Sequence, residues 1–242
     1  MGTDGSTTVV PLTGTLDAAD IATVRDILLT CLWERAGPTV IDLSGLASIV
    51  PAARGMFANL DREVADWPGT ELAILDPNRV TCPPGTTAPP DGPAVHPTLT
   101  SALTALGATF RPRSVGLSLA PVVGAAREAR TLVTENCVRW GLPELVEPGC
   151  IAITEMVNNA VAHARTGMSL RLASRADALH VAVRDQSHRQ PSFTGLAPPT
   201  STGGRGMLLI DTVARRWGST DVPAGKVVWC VLYAEDEAAF LR

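Results

Sequence analysis

Between Thr8 and Leu75 the apolar residues change period four times, from two to 3.6 and back. Thr8-Val9-Val10-Pro11-Leu12 reads as an edge strand, because Pro11 has no N–H to give to a ladder. Asp17 or Asp20 can cap a helix running to about Ala36, with Ile21, Val24, Leu28 and Leu32 at helical spacing. Thr39-Val40-Ile41-Asp42-Leu43 is a buried-type strand. A helix from about Pro51 to Trp67 follows, stopped by Pro68-Gly69, and Glu71–Leu75 is a third strand. Few folds accept this βαβαβ order: strands joined through helices pair in parallel, so a mainly parallel sheet covered by helices is expected. An apolar content of 45% is enough for packed cores.

From Asp76 to Pro97 the chain is rich in Pro, Gly and Thr, which suggests an insertion without its own secondary structure. Leu99–Leu106 looks helical and ends at Gly107. Arg111-Pro112-Arg113 then marks a boundary, giving domains at 1–110 and 111–242. The second domain offers a strand at Val115–Leu119 and a helix from about Pro121 to Trp140. The apolar side of that helix would be Val122, Ala126, Ala129, Val133, Cys137 and Trp140. A helix around Glu155 comes next, then strands at Met168–Ser174 and Leu179–Asp185. Ser187 to Gly203 has the composition of a lid, and a helix at about Arg205–Trp217 and a strand at Val227–Tyr233 complete the domain. Helices on one face of a mixed sheet make an α/β sandwich.

Several functions are excluded by composition. The net charge of −4 and the lack of a basic stripe argue against a direct nucleic-acid partner. No apolar run approaches the roughly 18 residues of a membrane-spanning helix. The N-terminus lacks a basic segment followed by an apolar one, so a cytoplasmic protein is expected. Five scattered cysteines contain no Cys-x-x-Cys pair, and the four histidines no His-x-x-x-His spacing, so neither a zinc site nor a disulfide framework is expected. Lys226 is the single lysine, against nineteen arginines. A P-loop and the strand lysine of eukaryotic-type protein kinases are therefore absent.

The residues with chemistry cluster in the second half. In Ile151-Ala152-Ile153-Thr154-Glu155-Met156-Val157-Asn158-Asn159-Ala160-Val161-Ala162-His163-Ala164, helical geometry puts Glu155, Asn158, Asn159, Ala162 and His163 on one face. Ile153, Met156, Val157, Ala160 and Ala164 make the opposite, apolar face. An Asn oxygen can ligate Mg²⁺, and a carboxylate can orient or deprotonate a nucleophile. From this segment alone, a surface helix with a merely solvated polar face fits equally well. Val181-Ala182-Val183-Arg184-Asp185 alternates like a strand and ends on an acid. Thr202-Gly203-Gly204-Arg205-Gly206 opens an apolar-periodic run, and glycines before a helix N-terminus let backbone N–H groups approach an anion.

In that order, the Glu-x-x-x-Asn-Ala helix, the strand ending in Asp, the loop and the Gly-Arg-Gly helix resemble the GHKL ATP-binding family, and within it the anti-sigma-factor serine kinases. The resemblance extends to Gly225-Lys226-Val227-Val228-Trp229, similar to that family's last strand, and covers roughly residues 112–242. It implies a Bergerat-type α/β sandwich that binds ATP with Mg²⁺. Asn159 would be the metal ligand and Glu155 the catalytic base or the group positioning the acceptor hydroxyl. Asp185 would accept from the adenine amino group, and Gly204, Arg205 and Gly206 would cradle the phosphates. One departure is Ser187, where the family often has Gly two residues after the Asp.

The first half resembles a STAS domain, the fold of anti-sigma-factor antagonists, over roughly residues 8–108. The resemblance rests on Gly14-Thr15-Leu16-Asp17 and on Ile41-Asp42-Leu43-Ser44-Gly45-Leu46 followed by a helix. The family's strand-to-helix turn usually carries a phosphate-accepting serine; the matching positions here are Val50-Pro51-Ala52-Ala53, without a hydroxyl. Together the resemblances imply a cytoplasmic regulator that transfers the γ-phosphate of ATP to a serine or threonine of a partner STAS antagonist. The alternative is a catalytically silent, ATP-gated protein that sequesters a sigma factor or STAS partner. A second copy of the chain is a further candidate partner.

Overall fold

The computed structural model describes residues 7–82, 92–108, 113–191 and 205–234, with the side chains of Ala108, Arg205 and Gly206 excepted. It divides into two compact units, one built from residues 3–65 and 69–111, the other chiefly from residues 112–242. The α/β class expected from the sequence holds in both.

The first unit has a four-stranded sheet, β1 (Thr8–Leu16), β2 (Pro38–Ile49), β3 (Glu71–Leu75) and β4 (Ala94–His96), in that spatial order and parallel throughout. β1 is an edge, where Pro11 is tolerated, and its ladder slips between Pro11 and Thr13 and again between Gly14 and Thr15. Helices α1 (Ile21–Glu34) and α2 (Pro51–Val64) form the crossovers, tied to each other by Arg25 Nη2 and Glu63 Oε2 at 2.7 Å. Asp20 occupies the N-cap position of α1 without capping it; its carboxylate accepts instead from the backbone N–H of Asp17, at 3.1 Å. α3 (Leu99–Ala108) packs Ala102 and Leu106 on Val40, Ala73 and Leu75. Strand alternation sends Ile41, Leu43 and Ile74, all buried, to the other face.

β4 lies inside the segment expected to be without secondary structure. The Asp76 carboxylate shapes the turn before it, accepting from the N–H groups of Val80 and Thr81 and from the Thr81 hydroxyl, at 2.9, 2.9 and 2.6 Å. Residues 83–91 of that segment lie outside the described residues.

The second unit is a five-stranded sheet of β5 (Arg113–Leu119), β6 (Met168–Arg175), β7 (Ala178–Asp185), β8 (Arg216–Val222) and β9 (Gly225–Tyr233), ordered β5-β6-β7-β9-β8. Every pairing is antiparallel, where a mixed sheet was expected, because hairpins rather than crossovers join β6 to β7 and β8 to β9. α4 (Ala125–Trp140), α5 (Val146–Asn159) and α6 (Arg205–Val213) share one core with the sheet. Leu145, Ile153, Leu170 and Leu172 are among its fully buried side chains, each stabilising by about 1.5–3 kcal/mol.

Two helices differ from their expected extents. α4 begins at Ala125, so Val122 precedes it and is 54% exposed. α6 ends at Val213 rather than Trp217, because the Arg215 N–H leaves the helix to bond Val231 O at 3.0 Å and the chain becomes β8. Among the described residues no helix is long and apolar enough to cross a membrane.

Gly149 lets α5 sit low on its neighbours. A Cβ there would lie 2.9 Å from Val133 Cγ1 of α4 and 3.0 Å from Leu179 Cδ2 of β7. Gly149→Val should therefore destabilise the second unit by about 1–3 kcal/mol through overpacking, read as a lower urea midpoint of its unfolding transition.

Candidate functional site

α5 is half-buried, as its periodicity predicts. Ile153, Met156, Val157 and Ala160 are in the core, Asn158, Ala162 and His163 are exposed, and Glu155 and Asn159 lie between these extremes. Glu155 and Asn159 thus stand one above the other at the margin of the core, while Asn158 points to solvent. Partial burial pushes the Glu155 carboxyl above the ordinary glutamate range.

Directly after Asn159 the helix widens into a single π-helical turn (Ala160–Ala164), closed by Arg165 N–H on Ala160 O at 2.9 Å. Such turns re-aim side chains relative to a regular helix and are frequent at functional sites. The Asn159 Nδ2 lies 3.6 Å from Met207 Sδ in the first turn of α6. α5 and the start of α6 are thereby brought together at Asn159, and the amide oxygen has no partner among the described residues.

Arg205 and Gly206 open α6, but their side chains are not described, and Gly204, like residues 192–203 of the expected lid, lies outside the described residues. The position of Arg205 and Gly206 at a helix start is the one the sequence assigns them.

Asp185 is the last residue of β7 and 4% exposed. Alternation places it with Val181 and Val183 on the helix-covered face. Its partner is Lys226, opposite it on β9 and 6% exposed. The Lys226 ammonium lies 2.9 Å from Asp185 Oδ1 and 2.8 Å from Oδ2, and 3.0 Å from the carbonyl of Ser187. Asp185 Oδ1 also accepts the Ser187 N–H at 2.8 Å. So the sequence reading found the carboxylate and missed the cation. In the sequence Lys226 excludes a P-loop and falls in the strand that resembles the family's last, with no role assigned to its charge, although its spacing of two and four from the apolar Val228 and Cys230 puts it on the inner face.

A cavity of about 530 Å³ opens beside Asp185, lined also by Leu119, Met168, Ser169, Arg184 and Gln186. Its size suits a small organic ligand. Neither Glu155 nor Asn159 lines it, so the structure does not bring the α5 residues and Asp185 together in this cavity.

The backbone holding Asp185 depends on Gly225, whose φ is +123° and whose Cβ, if present, would lie 2.0 Å from the Asp185 carbonyl oxygen. Gly225→Ala should force β7 and β9 apart at this end. We expect the cavity beside Asp185 to lose its shape while α5 is little affected, seen as amide chemical-shift changes concentrated at 184–187 and 225–227; shifts spread evenly through the unit would contradict it.

The family model for the histidine kinase-like ATPase domain matches residues 119–232. No curated protein matches the chain. Among solved structures, the RsbU and RsbW domains of Rv1364c from Mycobacterium tuberculosis are 17% identical, with a TM-score of 0.39, over 50% of this chain and 32% of that one. The histidine kinase domain of the blue-light-activated histidine kinase from Erythrobacter litoralis EL346 is 16% identical, with a TM-score of 0.33, over 48% of this chain and 62% of that one. The chain therefore spans less than two thirds of either, and neither likeness bears on what it does. The match covers α4, α5, the strand ending in Asp185, α6 and most of β9, so the residues singled out in the second unit fall within the stretch that is similar to a histidine kinase-like ATPase domain.

Proposed function

We propose that the second unit binds ATP with Mg²⁺ and transfers the γ-phosphate to a serine or threonine of a separate partner with a STAS fold. The observation that carries this reading is the meeting of α5 and α6 at Asn159, inside the segment that matches the ATPase family. Asn159 would hold Mg²⁺ through its amide oxygen, which Nδ2 leaves free by engaging Met207. Among the described residues no group of three or more His, Cys, Asp or Glu could hold a metal. An ion taking one protein ligand and completing its shell with phosphate and water suits that poverty of ligands, and Mg²⁺ behaves so. Arg205 and Gly206, at the start of α6, and Gly204 before them in sequence, would offer backbone N–H groups to the phosphates. Asp185 would accept from the adenine amino group in the cavity beside it.

Glu155 would act on the attacking hydroxyl. Desolvation moves its pKa toward the range where a carboxylate is a better base. We read the first unit as STAS-like, supported by its parallel sheet with helical crossovers. Its Val50–Ala53 turn consists of an extended Val50 followed by Pro51 in the first turn of α2, with no hydroxyl to receive phosphate. The acceptor is therefore placed on another chain.

Asn159→Ala should abolish the Mg²⁺-dependent part of ATP affinity, measured by calorimetry with and without the metal; equal Mg²⁺ dependence in both proteins would remove Asn159 from the site. Glu155→Gln should lower transfer roughly 10²–10⁴-fold with ATP affinity nearly unchanged. Because its folded-state pKa is raised, Glu155 favours folding below its unfolded value and loses that contribution as pH rises through the folded one. At neutral pH the glutamine variant should thus be at least as stable as the wild type, and wild-type transfer should fall on the acid side as Glu155 is protonated. The assay is phosphate transfer to STAS proteins of the same cell. Tight ATP-dependent binding of one of them without transfer would establish the gated-binding alternative instead.

A further inference from the structure

A carboxylate offers about four lone-pair positions. On Asp185, Oδ1 is engaged by Lys226 Nζ at 2.9 Å and by the Ser187 N–H at 2.8 Å, and Oδ2 by Lys226 Nζ at 2.8 Å. Among the described residues both hydrogen bonds fall on Oδ1, while Oδ2 lies within ion-pair distance of the ammonium, so only Oδ2 keeps room to accept. Lys226 in turn donates to Asp185 Oδ1 and, at 3.0 Å, to the Ser187 carbonyl. Asp185 is among the residues that line the cavity and Lys226 is not, and the ammonium takes up Oδ1 from the side of β9.

We propose that Lys226 determines which purine this site accepts, by limiting Asp185 to one hydrogen bond with the base. The proposal rests on the reading of Asp185 as the base-contacting residue. Adenine presents one N–H of its exocyclic amine beside N1, itself an acceptor, and one acceptor position satisfies it. Guanine presents two parallel donors on that edge, N1–H and an N2–H, which fit a carboxylate with both oxygens open. With Lys226 in place, only one of those donors finds a partner and the other is buried without one, a cost that rejects the base. The ammonium thus converts a carboxylate suited to either purine into one suited to adenine. It does so without touching the ligand, as a specificity-determining residue acting through another.

The test compares ATP, GTP and inosine triphosphate binding by calorimetry on the full chain. The wild type should prefer ATP, and should bind inosine triphosphate, which lacks the second donor, several-fold more tightly than GTP. Lys226→Met, similar in length but uncharged, frees a position on Oδ1, so that both oxygens can accept. Its preference for ATP over GTP should shrink by about tenfold or more. Lys226→Arg, whose planar fork can still engage both oxygens, should keep the wild-type ratio. Equal losses of ATP and GTP affinity in Lys226→Met, with the ratio unchanged, would reduce Lys226 to a structural role and overturn the proposal. If thermal unfolding shows that Lys226→Met does not fold, the wild-type series decides: inosine triphosphate and GTP binding equally would overturn it as surely. A wild type that binds no nucleotide at all refutes the ATP reading itself, an outcome distinct from nucleotide binding without the expected selectivity.

Discussion

A carboxylate buried to the extent of Asp185 needs a cation within reach, and the end of the second sheet is organised around that need. The β7–β9 register puts Lys226 directly opposite. Gly225, next to it, lets the two strands close to a distance that no side chain would allow. Ser187 gives both its N–H and its carbonyl to the same pair, so the first residues beyond β7 are fixed by the ion pair as well. Removing one partner of such a pair typically costs about 3–5 kcal/mol, because the other charge is left buried alone. Asp185 also borders a cavity of about 530 Å³, which joins the stability of this end of the sheet to the shape of that cavity.

α5 combines two demands in one helix. Its inner side is core, with Ile153, Met156 and Val157 buried and Gly149 set close against Val133 and Leu179. Its margin carries Glu155, whose ionised form is disfavoured by the burial that the packing imposes. A helix optimised for stability alone would place a neutral residue there. Retaining a partly desolvated carboxylate fits the common pattern in which reactive positions lower the stability of the fold that holds them.

Much of this was legible in the sequence because periodicity survives wherever one face is buried and the other is not. The first three parallel strands of the first unit and the polar margin of α5 follow from spacing alone, whereas the three-residue β4 is too short to show a period. β8 was not legible, and Arg216 and Trp217 were assigned to the preceding helix. Its residues Trp217-Gly218-Ser219-Thr220-Asp221 carry little apolar alternation, since it is an edge strand. Gly218 is needed there for a reason remote in sequence: a Cβ would lie 2.6 Å from the Trp229 ring on β9. The Val222-Pro223-Ala224-Gly225 turn was the available hint of a hairpin. The role of Lys226 was hidden differently, since a charge within an apolar strand is explained only by the partner opposite it, and that partner is fixed by register.

The scarcity of lysine has a chemical corollary. With one side-chain amine in 242 residues, and that amine 6% exposed and bonded to a carboxylate, the folded protein offers amine-directed reagents little beyond its N-terminal amino group. Reaction at Lys226 requires the end of the β7–β9 pair to open. The rate of acylation at that single nitrogen, divided by that of a free amine with the same reagent, therefore reports the free energy of local opening of the sheet.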